Sequence, residues 1–481
     1  QGARNMKYSL VLSFALMTLS LASASTEHAR YMIKTDFHSP SQVAELSQWL
    51  TQHNFDVAGT NWVKGEVEVI TNQGGVDYLT NQGYAISTTF NMLEFGGTPD
   101  SRYMTPQALD AKMRAFAAAH PELARIEQIG STIQGRPMLA LLISTTPDAN
   151  DMRNLDKATI LIDGQHHARE IMTPEVVLDV AETVLKGAAS NSDLISFLQN
   201  WNIWLVPSVN PDGTNIVFSS DNMWRKNARS GSRGMHGVDI NRNYDYKWNG
   251  CRGSSSYSWA QDFRGASASS EPETQAMIAF ANKIRPSAYL SYHSYSELVL
   301  YPFGCANAVT SENAMFERVS KELAARLPRD DNQGNYTAGA PWQLLYPVDG
   351  DSMGFMYAAF GAFSYTFEIN EDFQPSYSLR DPTVAKQRNA WMYFMNTINQ
   401  NLLKVTVVDA KTGQPAQAGI EIDAIRHTQG ESPFQTNQVG RFNKVLDAGH
   451  YKISARLADG RTAQVAVDMN GQAKAVTVTI N

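Results

Sequence analysis

Residues 159–170 read TILIDGQHHARE. Thr159, Ile160, Leu161 and Ile162 form an apolar run of strand character, Asp163 and Gly164 turn the chain, and His166, His167, Arg169 and Glu170 follow at once. A helix comes next: Thr173 suits the N-cap, Pro174 the first helical position, and Val176, Val177, Val180 and Val184 recur at helical spacing. A buried strand feeding directly into a helix constrains the chain to an open α/β sheet. Such sheets display their polar groups beyond the carboxyl ends of the strands.

His167 and Glu170 place an imidazole and a carboxylate on one side of a single turn, which suits two ligands on one Zn²⁺. Alone the pair decides nothing, because about half an accidental His-x-x-Glu is expected in a chain of this composition. Two further strand ends strengthen it. Residues 287–292 form a strand leading into His293, and residues 363–367 form one leading into Glu368. Two imidazoles and a carboxylate make a catalytic zinc set with a fourth position left for water, and a further carboxylate can act as base. Spacing alone leaves His166 open as an alternative to His167.

The chain has 481 residues, which points to two or three folded units. With 43% hydrophobic and 18% charged residues it has ample core material. Its net charge of −7 and the lack of a basic block exclude nucleic acid as a partner. Residues 6–24 read as a signal peptide, with Lys7 as the basic start, an apolar run over 10–21, and Ala22-Ser23-Ala24 as the cleavage site. Gln1 to Asn5 stand ahead of Met6, the expected start. The run is too short to span a bilayer and no other stretch is apolar enough, so the mature chain is expected to be secreted, extracellular or periplasmic, without a membrane span. Cys251 and Cys305 are an even pair in an exported chain and are expected to form a disulfide. Each stands alone, so neither belongs to a cysteine metal site.

Three units are read along the rest. Residues 25–97 make a small α+β unit: a strand at 30–33, a helix over 41–52 with Val43, Leu46 and Leu50 in phase, an alternating strand at 63–70, a short helix at 76–81 and a strand at 85–87. Residues 91–101, with Gly96-Gly97 and Pro99, have linker composition. Residues 102–400 alternate strands and helices. Thr105-Pro106 opens a helix carrying Leu109, Met113 and Phe116, and His120-Pro121 ends it. Strands follow at 138–143 and 201–206, with a turn at Asn210-Pro211-Asp212-Gly213. Ser270-Glu271-Pro272-Glu273 reads as a capping box, and 311–327 as a helix. Residues 403–481 give only short strands, at 405–408, 420–422, 440–442, 449–453 and 475–480, which suggest a β-sandwich.

His167-Ala168-Arg169-Glu170, Trp224-Arg225-Lys226-Asn227, Asp239-Ile240-Asn241-Arg242-Asn243, His293-Ser294-Tyr295-Ser296 and Thr366-Phe367-Glu368 stand in the order found in zinc metallocarboxypeptidases of the carboxypeptidase A/B type. The chain resembles that family from about residue 103 to 400. The resemblance implies a mixed, twisted eight-stranded sheet with helices on both faces, and a substrate that is a peptide or protein C-terminus. It implies His167, Glu170 and His293 as ligands of one zinc ion, so that His167 and not His166 is chosen, with Asp239 orienting His167. It further implies Glu368 as base, Arg225 on the oxyanion, Asn241 and Arg242 on the terminal carboxylate, Arg169 and Tyr295 on substrate further out, and Tyr346 as the tyrosine that closes over it.

Met353, in Gly350-Asp351-Ser352-Met353, falls where basic-specific relatives carry an acid, and so favours apolar or aromatic terminal residues. Asp349 and Asp351 stand close by. The loop Pro347-Val348-Asp349 departs from the digestive pattern, and Asn370 replaces a common arginine. A detachable front unit in a secreted hydrolase makes residues 25–97 a candidate inhibitory pro-segment, removed by an activating protease, with a permanent accessory domain as the alternative, and 403–481 resembles transthyretin-like domains. Two alternatives are removal of basic or cell-wall peptide residues, and an inactive peptide- or glycan-binding homologue. Retention of Glu368 and Arg225 argues against the second. No Gly-x-Ser-x-Gly elbow supports a serine hydrolase.

Overall fold

The computed structural model describes residues 29–481, apart from 36–38, 54, 62–63, 91–98, 149–150, 189 and 232–233. The leader at 6–24 and most of the linker at 91–101 therefore lie outside the described residues.

The first unit comprises β1 (Ala29–Lys34), α1 (Pro40–Gln52), β2 (Asp56–Asn61), β3 (Glu66–Thr71), α2 (Gln73–Asn81) and β4 (Ala85–Phe90). Its four strands are antiparallel in the order β2-β3-β1-β4. Val43, Leu46 and Leu50 of α1 pack on Ile33, Val67 and Val69, which is the helical phase read from the sequence. Strand β2 was not expected. It lacks alternation, and its register slips between Val57 and Gly59.

The second unit contains α3 (Pro106–Ala119), β5 (Ala124–Ser131), β6 (Pro137–Ile143), β7 (Ala158–Gly164), α4 (Thr173–Gly187), α5 (Ser192–Asn200), β8 (Trp201–Val206), α6 (Pro211–Ser219), the two-residue strands β9 (Ser230–Gly231) and β10 (Gly234–Met235), α7 (Pro272–Ile284), β11 (Ala288–Ser294), β12 (Leu298–Leu300), α8 (Asn313–Ala324), β13 (Thr337–Gly339), α9 (Pro341–Leu344), α10 (Ser352–Phe360), β14 (Phe363–Ile369) and α11 (Arg380–Gln400). Eight strands form one mixed sheet, ordered β13-β12-β14-β11-β7-β8-β6-β5. Strands β8, β7, β11 and β14 are parallel at its centre, flanked by antiparallel pairings. Every residue of β7, β8 and β11 is buried, as helices on both faces require. Residues of α3, α4, α5, α8 and α11 join one core and those of α7 the other, with α10 contributing to both.

Three local readings are corrected. Thr173 lies inside α4 and does not cap it; its hydroxyl instead donates to Glu170 O and accepts from Gln165 N, tying the loop before the helix. The Ser270–Glu273 box does not form either. Glu271 is the N-cap of α7 without a side-chain cap bond, because its carboxylate is taken by Asn227 and Arg229. Asn210 to Gly213 is the start of α6, with Asn210 accepting from Gly213 N.

The third unit comprises β15 (Leu402–Asp409), β16 (Gln414–Pro415), β17 (Gly419–Ile422), β18 (Phe434–Gln435), β19 (Arg441–Val445), β20 (Gly449–Arg456), β21 (Thr462–Met469) and β22 (Lys474–Ile480). They make two four-stranded sheets closed over one core that includes Val405, Ile420, Phe442 and Ile453. Leu402 and Val445 also join the core of the second unit, so the β unit is packed onto it.

Candidate active site

Strands β7, β11 and β14 end at one edge of the sheet. Tyr292 stands opposite Gly164, and His293 stands opposite Glu368 in the neighbouring strand. The segment after β7 turns through Gln165 at φ 56° and is held by Ala168 N donating to Arg225 O at 2.9 Å. Asn210 Nδ2 donates to both His166 O and Lys226 O, which clamps that segment to the one bearing Arg225. The polar residues are thus delivered by rigid strand ends and cross-braced loops.

His167 Nδ1 lies 2.6 Å from Glu170 Oε1 and 3.2 Å from His293 Nδ1. His293 Nδ1 lies 3.1 Å from Glu170 Oε2, an oxygen that is buried and has no hydrogen-bond partner. Ligand atoms of all three residues fall within 4.8 Å of one another. His167 Nε2 faces Asp239 Oδ1 at 3.2 Å, and a carboxylate there calls for the proton on Nε2. The Nδ1 lone pair of His167 is then left pointing at a carboxylate and a second imidazole. Lone pairs converging in a buried site fit a cation, and two histidines with one glutamate fit zinc. Burial by itself would raise the Glu170 carboxyl, but its contacts with His167 and His293 outweigh it and hold it low.

His166 is not part of this set. It is fully buried, its Nε2 is 3.0 Å from the Tyr244 hydroxyl, and its ring stacks on that of His293 at 5.4 Å. Burial, reinforced by His293 and His167, keeps it neutral. Asp239 also anchors Arg225, whose Nε and Nη2 both donate to Oδ2, at 3.1 and 2.8 Å. Asn241 accepts from Ser352 N, and its Nδ2 lies 3.4 Å from His293 Nε2. Arg242 is buried, donates Nη1 to Asn241 O, and has an unpartnered Nε. Among the described residues no carboxylate stands at ion-pair distance from it.

His167, Glu170, Arg225, Asn241 and Arg242 line one cleft, together with Glu368, Tyr295, Tyr346, Met353, Asp351 and Phe373. Burial first, and then the charge of Glu170, push the Glu368 carboxyl well above its ordinary range. Asp349 turns away: Cys251 N, Gly253 N and the Ser254 hydroxyl all donate to it. Cys251 and Cys305 are joined, with Cα atoms 5.7 Å apart. Asp351 caps α10 by accepting from Gly354 N, and burial raises its carboxyl to about 6. Asn370 is buried away from the cleft, its Nδ2 donating to Asp330 and Thr383.

Arg169 does not open onto the cleft. Its guanidinium grips Asp56 of β2 through two bonds, of 2.8 and 3.1 Å, and lies 4.1 Å over the Phe373 ring. Val57, Ala58 and Gly59 of β2 line the cleft itself. Sequence reasoning missed Asp56 and Phe373. Nothing near either residue marks it, because its role depends on a tertiary contact with Arg169.

A family model described as zinc carboxypeptidase matches residues 109–390. Mouse carboxypeptidase A2 is 30% identical over 309 residues, covering 64% of this chain and 70% of that protein. Zinc carboxypeptidase A 1 of Anopheles gambiae is 27% identical over 277 residues, covering 56% and 60%. The crystal structure of carboxypeptidase A from Helicoverpa armigera superposes with a TM-score of 0.66 at 22% identity, over 77% of this chain and 96% of that one, a likeness of fold. The match spans more than half the chain and contains the convergent His167, Glu170 and His293. This chain therefore belongs to the zinc carboxypeptidase family, and is a metallocarboxypeptidase acting on peptide C-termini.

Proposed function

We propose that the chain is a secreted proenzyme whose mature form removes apolar or aromatic residues from peptide C-termini. The observation that carries the choice of bond is Arg242. A buried guanidinium with no carboxylate at ion-pair distance among the described residues and with an unpartnered Nε, on the wall of a cleft, suits an anionic ligand. A free α-carboxylate supplies it, gripped through two parallel bonds, with Asn241 beside it. That places the last peptide bond next to His167, Glu170 and His293. Zinc held there would polarise the scissile carbonyl and lower the pKa of water. Glu368 takes the proton from the attacking water and passes it to the leaving amine. Arg225, oriented by Asp239, faces the oxygen on which negative charge develops. Tyr346 closes over the substrate, and Met353 lines the recess for the terminal side chain.

The proenzyme reading is supported by β2. Asp56 occupies Arg169, Thr60 bonds to Ser296 and Leu344, and Tyr346 packs against the hydrophobic core of the first unit. Substrate and β2 then compete for the same surface. A second reading, preference for basic terminal residues, is favoured by Asp351, which lines the same cleft. Peptides differing only in the last residue, each with an amidated twin, test both. Phe and Leu termini are expected to be cleaved best and amidated twins not at all. Cleavage of the amides overturns the carboxylate grip, and faster release of Lys or Arg selects the second reading.

A further inference from the structure

We infer that the C-terminal β unit positions the recess for the terminal side chain, through Lys444 acting on α10. The inference rests on the reading that Met353 lines that recess.

Helix α10 is nine residues long and links two functional ends. Its first turn carries Met353, with Asp351 as N-cap, and Ser352 N is bonded to Asn241 Oδ1. Its last turn ends at Gly361, in the left-handed region at φ 68°, and β14 with Glu368 begins two residues later. The mean hydropathy of α10 is high and all but one of its residues are buried, so it has no polar face of its own to fix its rotation or height.

The first turn is held by the second unit, where Ser364 Oγ donates to Met353 O at 3.1 Å, and the far end is held from the β unit. Lys444 of β19 is fully buried and donates Nζ to Gly361 O at 3.0 Å, one of the carbonyls left open at the helix end. The same Nζ pairs with Glu312 Oε2 at 2.7 Å, and Tyr357 of α10 donates its hydroxyl to that oxygen. Ser432 N donates to Ala358 O at 2.7 Å. Phe434 closes over Gly361, where a β-carbon would meet its ring at 2.6 Å. The far end of α10 is thus held by one buried cation, one amide and one ring, all from the β unit. A rigid helix transmits any shift at that end to Met353.

The test is Lys444→Met in the full chain, with Phe434→Ala as a second variant should the first not fold. The readouts are kcat and KM on peptides ending in Phe, Leu and Ala, zinc content, and Tm. The expected result is a rise of about tenfold in KM for the Phe and Leu termini, little change for Ala, unchanged zinc, and recovery in Lys444→Arg. An equal change across all three termini, or a fall in Tm with KM unchanged, overturns the inference. Wild-type protein that does not distinguish Phe from Ala refutes the underlying recess instead, so the two failures are separable.

Discussion

Glu368, half-buried, and Asp351, buried, are two carboxyls in one cleft, both pushed upward by lost hydration. For Glu368 the shift serves chemistry, since a base raised toward the working pH accepts a proton more readily. It acts only when ionised, so kcat/KM falls on the acid side of its raised pKa. Glu368→Gln is expected to keep zinc and peptide binding while kcat drops about 10²- to 10⁴-fold and that acid limb disappears. Asp351 shows the shift as a stability term. Its folded pKa of about 6 exceeds the ordinary 3.8, so the native state binds the proton more tightly than the unfolded chain. Stability contributed by the protonated form is present in acid and is lost as pH rises from about 4 to 6, by about 3 kcal/mol. Asp351→Asn keeps a good N-cap and is expected to flatten that slope and raise Tm at pH 7, measured by calorimetry across pH 4–8. An unchanged slope rejects the assignment.

Elements that bury one face, or end in a polar cluster, were readable from sequence. Strands β7, β8, β11 and β14 were found because uninterrupted apolar runs lead into turns or charged groups. The same strand-end reading brought out His293 and the cluster of His166, His167 and Glu170 as metal candidates, and the family resemblance chose His167 among them. Helix α10 was not, because SMGFMYAAF is buried almost all round and carries no period. Helix α11 was not, because its first residues lack a side-chain cap. Strand β2 was missed for want of alternation, and with it the contact that covers Arg169. Gly59 lets the same strand lie close against Tyr295: a β-carbon there would meet the Tyr295 ring at 2.3 Å. Gly59→Val is expected to lift β2 from the cleft and to raise the activity of the uncleaved chain severalfold, at some loss of Tm. Unchanged latent activity would count against β2 as the covering element.

At the scale of the molecule, one sheet holds the chemistry at its carboxyl edge while two smaller units brace it. Because ligand atoms of three residues converge on one point, a strong chelator is expected to abolish cleavage and lower Tm together, and added zinc to restore both; binding to the native state alone has this signature. Full activity in metal-free protein would remove the metal from the reaction.

The link between Cys251 and Cys305 carries a consequence for where the chain can be made. It closes a span of 54 positions, a restraint on the unfolded chain of about 4 kcal/mol. It also fixes the loop whose amides and hydroxyl hold Asp349, four residues before Met353. In a reducing cytosol His167, Glu170 and His293 would still converge, because nothing in their bracing depends on sulfur. The floor of the cleft would lose its tether. Thiol-reduced enzyme would then hydrolyse peptides yet choose poorly among their last residues, which makes discrimination, more than turnover, the property that depends on an oxidising compartment.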